Sequence, residues 1–222
     1  MVVAIDGPSG VGKSTVASCA AQRTGFSYLN SGSFYRGITK TVLDSNLNPE
    51  DENDILKAAA ACDFQLREGK ILLNGQPLLA QSIQNDRVDR WVAVHSSIPK
   101  VRDLVNQKLR GIAQNRDIIV EGRDIGTVVF PQAELKIYLD ANPGTRARRR
   151  YHQGVSQLEE EELRRRLEER DTLDRSKPFG RLEQAGDAQY IDTSDLTIDR
   201  VCAKVVDEIL KRANLAGVES EI

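Results

Sequence analysis

The chain of 222 residues is long enough for one sizeable core with a smaller lobe, and too short for a string of independent modules. Hydrophobic residues make up 40% and charged residues 29%, a composition that is typical of a soluble globular protein and excludes a disordered or fibrous one. The 31 basic and 33 acidic residues leave a net charge of −2, which argues against a general nucleic-acid or membrane binder.

The first residues form an apolar strand pattern and not a basic segment that leads into an apolar stretch, so we expect no signal peptide. No apolar run approaches the roughly 20 residues needed to cross a bilayer. Cys19, Cys62 and Cys202 are an odd number and lie far apart. We therefore expect neither a disulfide nor a zinc site, and a cytoplasmic location. His95 and His152 have no partner at metal-ligand spacing, and we expect both at the surface.

Short apolar runs alternate with helical patterns along the chain. The runs predict strands buried on both faces, at residues 2–5, 118–120, 135–141 and 189–192. The periodic segments predict helices at residues 13–24, 33–44, 84–96, 99–114, 142–152, 157–171 and 197–213. This alternation predicts an α/β fold, in which a parallel sheet carries helices on both faces.

Two stretches interrupt the alternation. Residues 63–80 contain two short apolar segments with turn signals at Gly69 and Asn74-Gly75, which predict a small antiparallel hairpin unit. Residues 157–181 carry a charge-dense helix followed by Pro178 and Gly180. Such a helix can simply be a solvated one supported by Glu–Arg pairs four residues apart. We favour a mobile arm, because the stretch interrupts the pattern just before the last strand.

Residues 7–14 read GPSGVGKS, which fits the phosphate-loop pattern G-x-x-x-x-G-K-[ST] between a predicted strand and a predicted helix. In such a loop, backbone N–H groups wrap the phosphate oxygens, and the helix N-terminus favours negative charge. The lysine reaches the β- and γ-phosphates, and the serine hydroxyl binds Mg²⁺. We therefore expect binding of MgATP, with Ser14 as the metal ligand. The expected ATP-binding residues are Gly7, Pro8, Ser9, Gly10, Val11, Gly12, Lys13, Ser14 and Thr15.

The acceptor of the phosphoryl group is predicted to be a second anion. The base-reading motif N-K-x-D of a GTPase is absent, and the strand at 118–120 runs into Glu-Gly-Arg-Asp and not into the Asp-Glu of a motor ATPase. Phosphoryl transfer between two anions needs positive charge from several segments. Arg36 and Arg123 lie close after strand patterns, and Arg146, Arg149 and Arg150 share one helical face. For each arginine alone, a surface salt bridge is the simpler interpretation. Their shared placement after strands or on one helical face favours an anion-binding site.

Five motifs in order, GPSGVGKST, LNSGSFYRG, the VR at 101–102, EGRDIGTVVFP and RDTLD, resemble the bacterial type of cytidylate kinase, a family of P-loop nucleoside monophosphate kinases. The resemblance implies a P-loop NTPase core with an inserted monophosphate-binding lobe and a short helical lid. It implies transfer of phosphate from MgATP to CMP, and to dCMP. The implied divisions are a core of residues 1–30, 99–150 and 180–222, a lobe of about 31–98 and a lid of about 151–179. No dimer seam is visible, so we expect a monomer.

The resemblance also implies roles for individual residues. Ser31, Arg36 and Arg123 match positions that hold the acceptor phosphate, Arg102 and Asp124 match positions that read cytosine, and Arg170 and Asp174 match ribose-contacting positions. Lys13, Arg123, Arg146, Arg149 and Arg150 are the implied catalytic cations. A carboxylate suits this cytosine-reading role, because it accepts from the exocyclic amine of cytosine and repels the carbonyl oxygen of uracil.

The chain departs from the family pattern at four positions. Asn30 and Glu121 stand where the family has aspartate, Lys177 where it has an arginine near ribose and base, and Ala93 where it has a base-contacting serine. Ser96 and Ser97 lie close enough to replace that serine. These changes bear on the tightness of CMP binding and on the choice between ribose and deoxyribose, and Glu121 has no assigned role. Two alternatives stay open: a kinase of UMP or AMP, and a switch ATPase that acts on a macromolecule.

Overall fold

The protein is described by a computed structural model that covers residues 1–152 and 158–219. The chain folds into two compact units, one formed by residues 1–28 and 116–222 and the other by residues 29–115. Residues 153–157, which belong to the predicted lid, lie outside the described residues.

In the described residues, the strands are β1 (Val2–Asp6), β2 (Ser27–Asn30), β3 (Phe64–Arg67), β4 (Lys70–Leu73), β5 (Gln76–Pro77), β6 (Ile118–Gly122), β7 (Leu135–Asp140) and β8 (Gln189–Asp192). The α-helices are α1 (Lys13–Thr24), α2 (Ser31–Asp44), α3 (Glu52–Ala61), α4 (Ala80–Ile83), α5 (Asp86–His95), α6 (Pro99–Ala113), α7 (Pro143–His152), α8 (Glu160–Ser176) and α9 (Ile198–Glu219). A π-helix spans Ile125–Val129.

The larger sheet has the strand order β2-β6-β1-β7-β8, and β1 lies at its centre. Strand β1 pairs in parallel with β6 and β7, and β7 pairs in parallel with β8. The inner strands are apolar along nearly their whole length because helices cover both faces of a sheet of this kind. The predicted α/β fold with a parallel sheet is therefore confirmed. Strand β2 corresponds to the strand pattern expected before Arg36, for which no range was predicted because it has only four residues and one buried position.

Helices α1 and α9 pack together against one face of this sheet, where a single apolar cluster fills the space between helices and strands. Cys19 of α1 and Cys202 of α9 form a disulfide with their Cα atoms 6.2 Å apart, within the range that a disulfide bridges. The prediction that no disulfide forms is wrong, because helix packing brings together two cysteines that are distant in sequence. One of the reasons for expecting a cytoplasmic location is thereby removed.

The second unit contains the predicted insert. Strands β3, β4 and β5 form an antiparallel sheet, so the predicted hairpin is confirmed and gains a short third strand. Helix α6 packs on α3 and β3 and belongs to this unit, although the sequence analysis assigned residues 99–114 to the core. Helix α3 was not predicted, although Asp51 caps its N-terminus in the standard way by accepting from two backbone N–H groups.

His95 is fully buried in the second unit, so its predicted surface position is wrong. Its Nδ1 lies 3.0 Å from the Thr39 hydroxyl, and its Nε2 lies 3.0 Å from the Pro49 carbonyl oxygen. Burial lowers the pKa of His95, and the bond to Pro49 opposes this effect. His95 is therefore a hydrogen-bonded residue of the interior, whereas His152 is exposed as predicted.

The charge-dense stretch forms helix α8, which is longer than predicted and packs on α7. Ala147 of α7 joins Leu163 and Leu167 of α8 in a small buried cluster. The helix ends at Ser176, two residues before Pro178, as expected because the residue that precedes a proline disfavours the helical conformation. The mobility of this segment stays a prediction. Among the described residues, no helix is both long and apolar enough to span a membrane.

Candidate active site

The phosphate loop connects β1 to α1, and its glycines allow close backbone contacts. Gly7 has a φ of 150°, and a Cβ at this position would lie 2.1 Å from the carbonyl oxygen of Leu139 in β7. Gly10 has a φ of 82°, and a Cβ there would lie 3.2 Å from Cβ of Arg146. Any side chain at Gly7 would therefore require the backbone to move.

Besides Arg123, which is described below, three cationic side chains donate hydrogen bonds to carbonyl oxygens of this loop. The bonds are Lys13 Nζ to Pro8 O at 2.7 Å, Arg146 Nη1 to Ser9 O at 3.1 Å and Arg149 Nη1 to Val11 O at 3.3 Å. These bonds fix the conformation of the loop and gather positive charge around it. Both effects favour the binding of an anion.

Lys13 is only 7% exposed. Burial lowers its pKa to about 7, and the neighbouring Arg123 guanidinium adds to this effect, while Glu121 and Asp6 oppose it. A lysine in these surroundings is easily deprotonated, and an anion bound beside it would stabilise its charged form. The site therefore favours a phosphate next to Lys13.

The three predicted lid arginines lie in α7 and differ in their surroundings. Arg146 is only 3% exposed and pairs with Asp171 of α8 at 2.6 Å. Arg149 donates to the hydroxyl and carbonyl oxygens of Thr193, at 2.9 and 2.6 Å. For Arg150, no hydrogen bond or ion pair is present within the described part of the chain. Two of the three guanidinium groups thus hold the loop in this structure.

Arg123 follows β6 and connects the phosphate loop to helix α8. Its Nη1 donates to the carbonyl oxygen of Gly7 at 3.0 Å, and its Nε donates to Oδ2 of Asp174 at 3.1 Å. Lys177 Nζ lies 2.8 Å from the other oxygen of Asp174, and Arg170 Nε lies 3.9 Å from the carboxylate. The structure thus brings together four predicted substrate residues beside the loop.

Asp174 holds this cationic cluster. Burial on its own would raise the pKa of the carboxyl, but Arg123, Lys177 and Arg170 outweigh burial and hold the pKa below its usual value. Asp174 is therefore a charged group at neutral pH. The departure at Lys177 keeps a cation on this carboxylate, as a point charge and not as the planar fork of an arginine.

Glu121, for which the sequence indicated no role, is buried at the end of β6. Its Oε1 accepts a hydrogen bond of 2.6 Å from the Tyr28 hydroxyl. Its charge also raises the pKa of Lys13. Glu121 therefore belongs to the balance of charges around the phosphate loop.

Two buried aspartates flank the segment that carries Arg123. Asp124 stands at the N-cap position of the π-helix, and its side chain makes no capping bond there. Asp6, which the sequence analysis did not single out, accepts from the backbone N–H groups of Ile125 at 2.9 Å and Gly126 at 2.7 Å. The only signal for Asp6 in the sequence is a carboxylate at the end of a buried strand, directly before the glycine of the loop.

Ser31 and Arg36, two of the predicted acceptor residues, lie in the second unit on helix α2. Ser31 is buried at the first position of the helix. Asn30 caps this helix, because its side-chain oxygen accepts from Ser33 N at 3.2 Å. An amide oxygen caps as well as the aspartate that the family has here. Arg36 pairs with Asp89 at 2.6 Å and donates to the Ile83 carbonyl oxygen at 2.9 Å.

Arg102, the remaining predicted acceptor residue, is buried in α6. Its guanidinium lies 5.4 Å from the centre of the Tyr35 ring, in a cation–π contact, and donates to the Ser96 carbonyl oxygen at 3.1 Å. Both serines near the departure at Ala93 donate their hydroxyls to carbonyl oxygens of α5, Ser96 at 3.1 Å and Ser97 at 2.7 Å.

The metal ligands available in the described residues fit Mg²⁺ held mainly by phosphates. No group of three or more histidine, cysteine, aspartate or glutamate side chains suited to a metal ion is present among them. Ser14 is exposed at the second position of α1, one residue after Lys13. Mg²⁺ usually keeps several waters and binds through one or two protein groups and the substrate phosphates. A single hydroxyl beside the loop is in keeping with that mode.

Comparison with known proteins agrees with this geometry. The family model for cytidylate kinase matches residues 3–211. A cytidylate kinase from Borrelia hermsii (strain HS1 / DAH) is 44% identical over 220 residues, which cover 97% of this chain and 99% of the relative. A cytidylate kinase from Caldanaerobacter subterraneus subsp. tengcongensis is 39% identical over 212 residues, which cover 94% of each chain.

Among solved structures, an uncharacterized protein from Eubacterium ventriosum ATCC 27560 aligns with a TM-score of 0.51 and 12% identity, covering 95% of this chain and 98% of that one. This likeness concerns the fold alone. The family match and the identity to relatives extend over nearly the whole chain, including the phosphate loop and the EGRDIG segment. The chain therefore belongs to the cytidylate kinase family of ATP-dependent phosphotransferases.

Proposed function

We propose that this enzyme transfers the γ-phosphoryl group of MgATP to CMP, and also to dCMP, giving the nucleoside diphosphate and ADP. The observation that carries the proposal is the bond between Arg123 and the carbonyl oxygen of Gly7. It ties the segment that distinguishes this family to the loop that holds the donor. Donor and acceptor phosphates would then share the charges of Lys13 and Arg123.

In the proposed reaction, an oxygen of the CMP phosphate attacks the γ-phosphorus in line, and the bond from that phosphorus to the oxygen of ADP breaks. A monophosphate with a second pKa near 6 is already mostly a dianion at neutral pH, so no general base is required. Lys13 and Arg123 stabilise the charge that is spread over the transferred group. Mg²⁺, held by Ser14 and the phosphates, would supply further neutralisation of that charge.

The three arginines of α7 take different parts in this proposal. Arg150, for which the described residues provide no hydrogen-bond or ion-pair partner, would reach the transferred group. Arg146 and Arg149 support the loop through their bonds to Ser9 and Val11. They would contact the phosphoryl group directly only by exchanging those carbonyl oxygens for phosphate oxygens, which are the stronger acceptors.

We assign the recognition of CMP to eight residues. Ser31, Arg36 and Arg123 hold the phosphate, Arg102 and Asp124 bind the base, and Arg170, Asp174 and Lys177 lie by the ribose. Closure of the monophosphate-binding lobe, about 31–98, and the lid, about 151–179, would exclude water that otherwise hydrolyses ATP. We further propose that the enzyme acts as a monomer.

The test is a coupled assay of ADP release with CMP, dCMP, UMP, AMP and GMP as acceptors in parallel. CMP is expected to give the highest kcat/KM, followed by dCMP. A preference for UMP or AMP would favour the related nucleotide kinases. If a macromolecule stimulates ATP hydrolysis and no phosphoryl group is transferred to any nucleotide, a switch ATPase would be favoured.

The base-reading role is tested with Asp124→Asn. An amide donates as well as accepts, so the ratio of kcat/KM for CMP over UMP should fall by about tenfold or more. The matched control is Asp199→Asn, since the Asp199 side chain is 90% exposed and makes one long ion pair. An unchanged CMP preference in Asp124→Asn would refute the assignment.

A further inference from the structure

The buried carboxylate of Asp6 uses both of its oxygens on one short backbone segment. Oδ1 accepts from Ile125 N at 2.9 Å and Oδ2 accepts from Gly126 N at 2.7 Å. The residue is only 4% exposed. A buried carboxylate is costly unless hydrogen bonds compensate. Asp6 thus has a specific partner, the two residues that directly follow Arg123 and Asp124.

These two N–H groups open the π-helix Ile125–Val129. The first N–H groups of a helix lack partners within the helix, and an aspartate at the N-cap position commonly supplies one. Asp124 occupies that position, but its side chain makes no capping bond. Asp6, from a strand far away in sequence, caps the helix in its place. The Asp124 carboxylate is therefore not used for capping.

The side chains of Asp6 and Lys136 both lie close to Gly126. A Cβ at Gly126 would lie 3.4 Å from Oδ2 of Asp6 and 3.2 Å from Cδ of Lys136. Asp6 also precedes Gly7, whose carbonyl oxygen accepts from Arg123. Two adjacent residues of one strand end thus fix the segment on both sides of Asp124, through Arg123 before it and Ile125 and Gly126 after it.

We propose that Asp6 is a positioning residue that orients the side chains of Arg123 and Asp124. Through this orientation it affects which nucleotide base the enzyme accepts. The inference rests on the proposed function, in which Asp124 reads cytosine. In this proposal Asp6 acts without contacting either nucleotide, by holding the backbone that carries the Asp124 carboxylate. Substitution of a residue that only supported the fold would lower kcat/KM equally for all acceptors. Substitution of a positioning residue changes the ratio of kcat/KM for CMP over UMP.

The main test is Asp6→Asn, measured as kcat/KM for CMP and for UMP. The amide has one acceptor oxygen, so its NH₂ group faces one of the two backbone donors and one bond is lost. The expected result is a fall of about tenfold in the CMP-to-UMP ratio, since one such bond is worth about a factor of ten. Loss of the Asp6 charge should also lower the pKa of Lys13 further and raise the KM for ATP, but this effect is common to both acceptors and cancels in the ratio.

Glu134→Gln is the matched control, because Glu134 accepts from Val2 N at 2.8 Å at the opposite end of the same strand. Its CMP-to-UMP ratio should equal that of the wild type. A second variant, Asp6→Glu, keeps the charge but displaces both carboxylate oxygens from the N–H groups of Ile125 and Gly126 by one methylene group, and it should lower the ratio in the same way. It decides the question if Asp6→Asn does not fold.

The outcomes separate the two proposals. A wild-type enzyme without a preference for CMP over UMP refutes the proposed function, before any variant is compared. A wild-type enzyme that prefers CMP, with the ratio unchanged in folded Asp6→Asn or in folded Asp6→Glu, refutes positioning by Asp6 and leaves the proposed function intact. Equal losses with both acceptors would likewise assign Asp6 to the fold alone.

Discussion

Nucleotide binding is predicted to take up a proton at Lys13. Burial and the Arg123 charge lower the pKa of this lysine to about 7 in the free protein. A phosphate beside the amine favours its charged form, so binding should return the pKa to a value well above 8. Binding therefore takes up protons at alkaline pH, and affinity should fall as pH rises above 7.

The magnitude follows from the protonated fraction of Lys13. With a pKa of about 7, about one half of the free protein carries the proton at pH 7 and about one tenth at pH 8. Uptake on binding should therefore be about 0.5 proton at pH 7 and about 0.9 proton at pH 8. The affinity for the nucleotide should fall by about fivefold between these two pH values.

The assay is titration calorimetry with MgADP, which is not turned over, at pH 8 in buffers of different ionisation enthalpy. The dependence of the observed enthalpy on the buffer gives the number of protons. Lys13→Met should bind more weakly and lose the uptake, and Lys13→Arg should bind without uptake because a guanidinium stays charged. If the wild-type protein binds MgADP without taking up protons, while Lys13→Met binds MgADP more weakly, the lowered pKa of Lys13 is refuted.

Two further predictions concern stability. Gly7→Ala should lower the free energy of unfolding, measured in urea, by about 3 kcal/mol or more, because the added Cβ would clash with the backbone of Leu139. Gly25→Ala is the control, since Gly25 has a φ of 75° but open space around it, and it should cost only about 1 to 2 kcal/mol. Equal losses in the two variants would contradict the clash at Gly7. Reduction of the Cys19–Cys202 disulfide, which closes a separation of 183 residues, should lower Tm by roughly 5 to 15 °C. A Cys19→Ser/Cys202→Ser variant should have the Tm of the reduced protein, and reductant should not change it. A Tm of this variant that falls on addition of reductant would refute the assignment of the disulfide.

The phosphate loop was predictable because its chemistry is local. Strand, loop and helix are contiguous from residue 2 to 24, so the motif and its structural setting can be read together. The strands at 118–122 and 135–140 were predictable for a similar reason, since buried parallel strands are short and continuously apolar. These elements need no knowledge of distant partners.

Asp6, His95 and the disulfide depend on distant partners and were missed or misjudged. Asp6 bonds to Ile125 and Gly126, which follow it in the chain by 119 and 120 positions. The two bonded cysteines are 183 positions apart. His95 is buried because Thr39 and the Pro49 carbonyl oxygen satisfy its ring, which a sequence pattern does not show. In each case a polar group is placed in the interior by a partner that only the fold supplies.

The arginines of α7 show an intermediate case. Their spacing correctly predicted a helix, but not that Asp171 and the loop carbonyl oxygens would bind Arg146. Charge and periodicity identify a cationic helix, while the partner of each cation depends on which segments the fold packs beside it. The lid role of these residues stays a prediction for this reason.

The cations around the phosphate loop are paired in the free protein, which bears on how the enzyme would bind two anions. Lys13 donates to Pro8 O, and Arg123 donates to Gly7 O and Asp174. Buried cations without partners would be costly, so these bonds stabilise the empty loop. Under the proposed function, phosphate oxygens replace some of these acceptors and gain charge-assisted bonds. Arg123 would have to share or leave Asp174 when the acceptor phosphate binds, which couples acceptor binding to helix α8 and hence to the predicted lid.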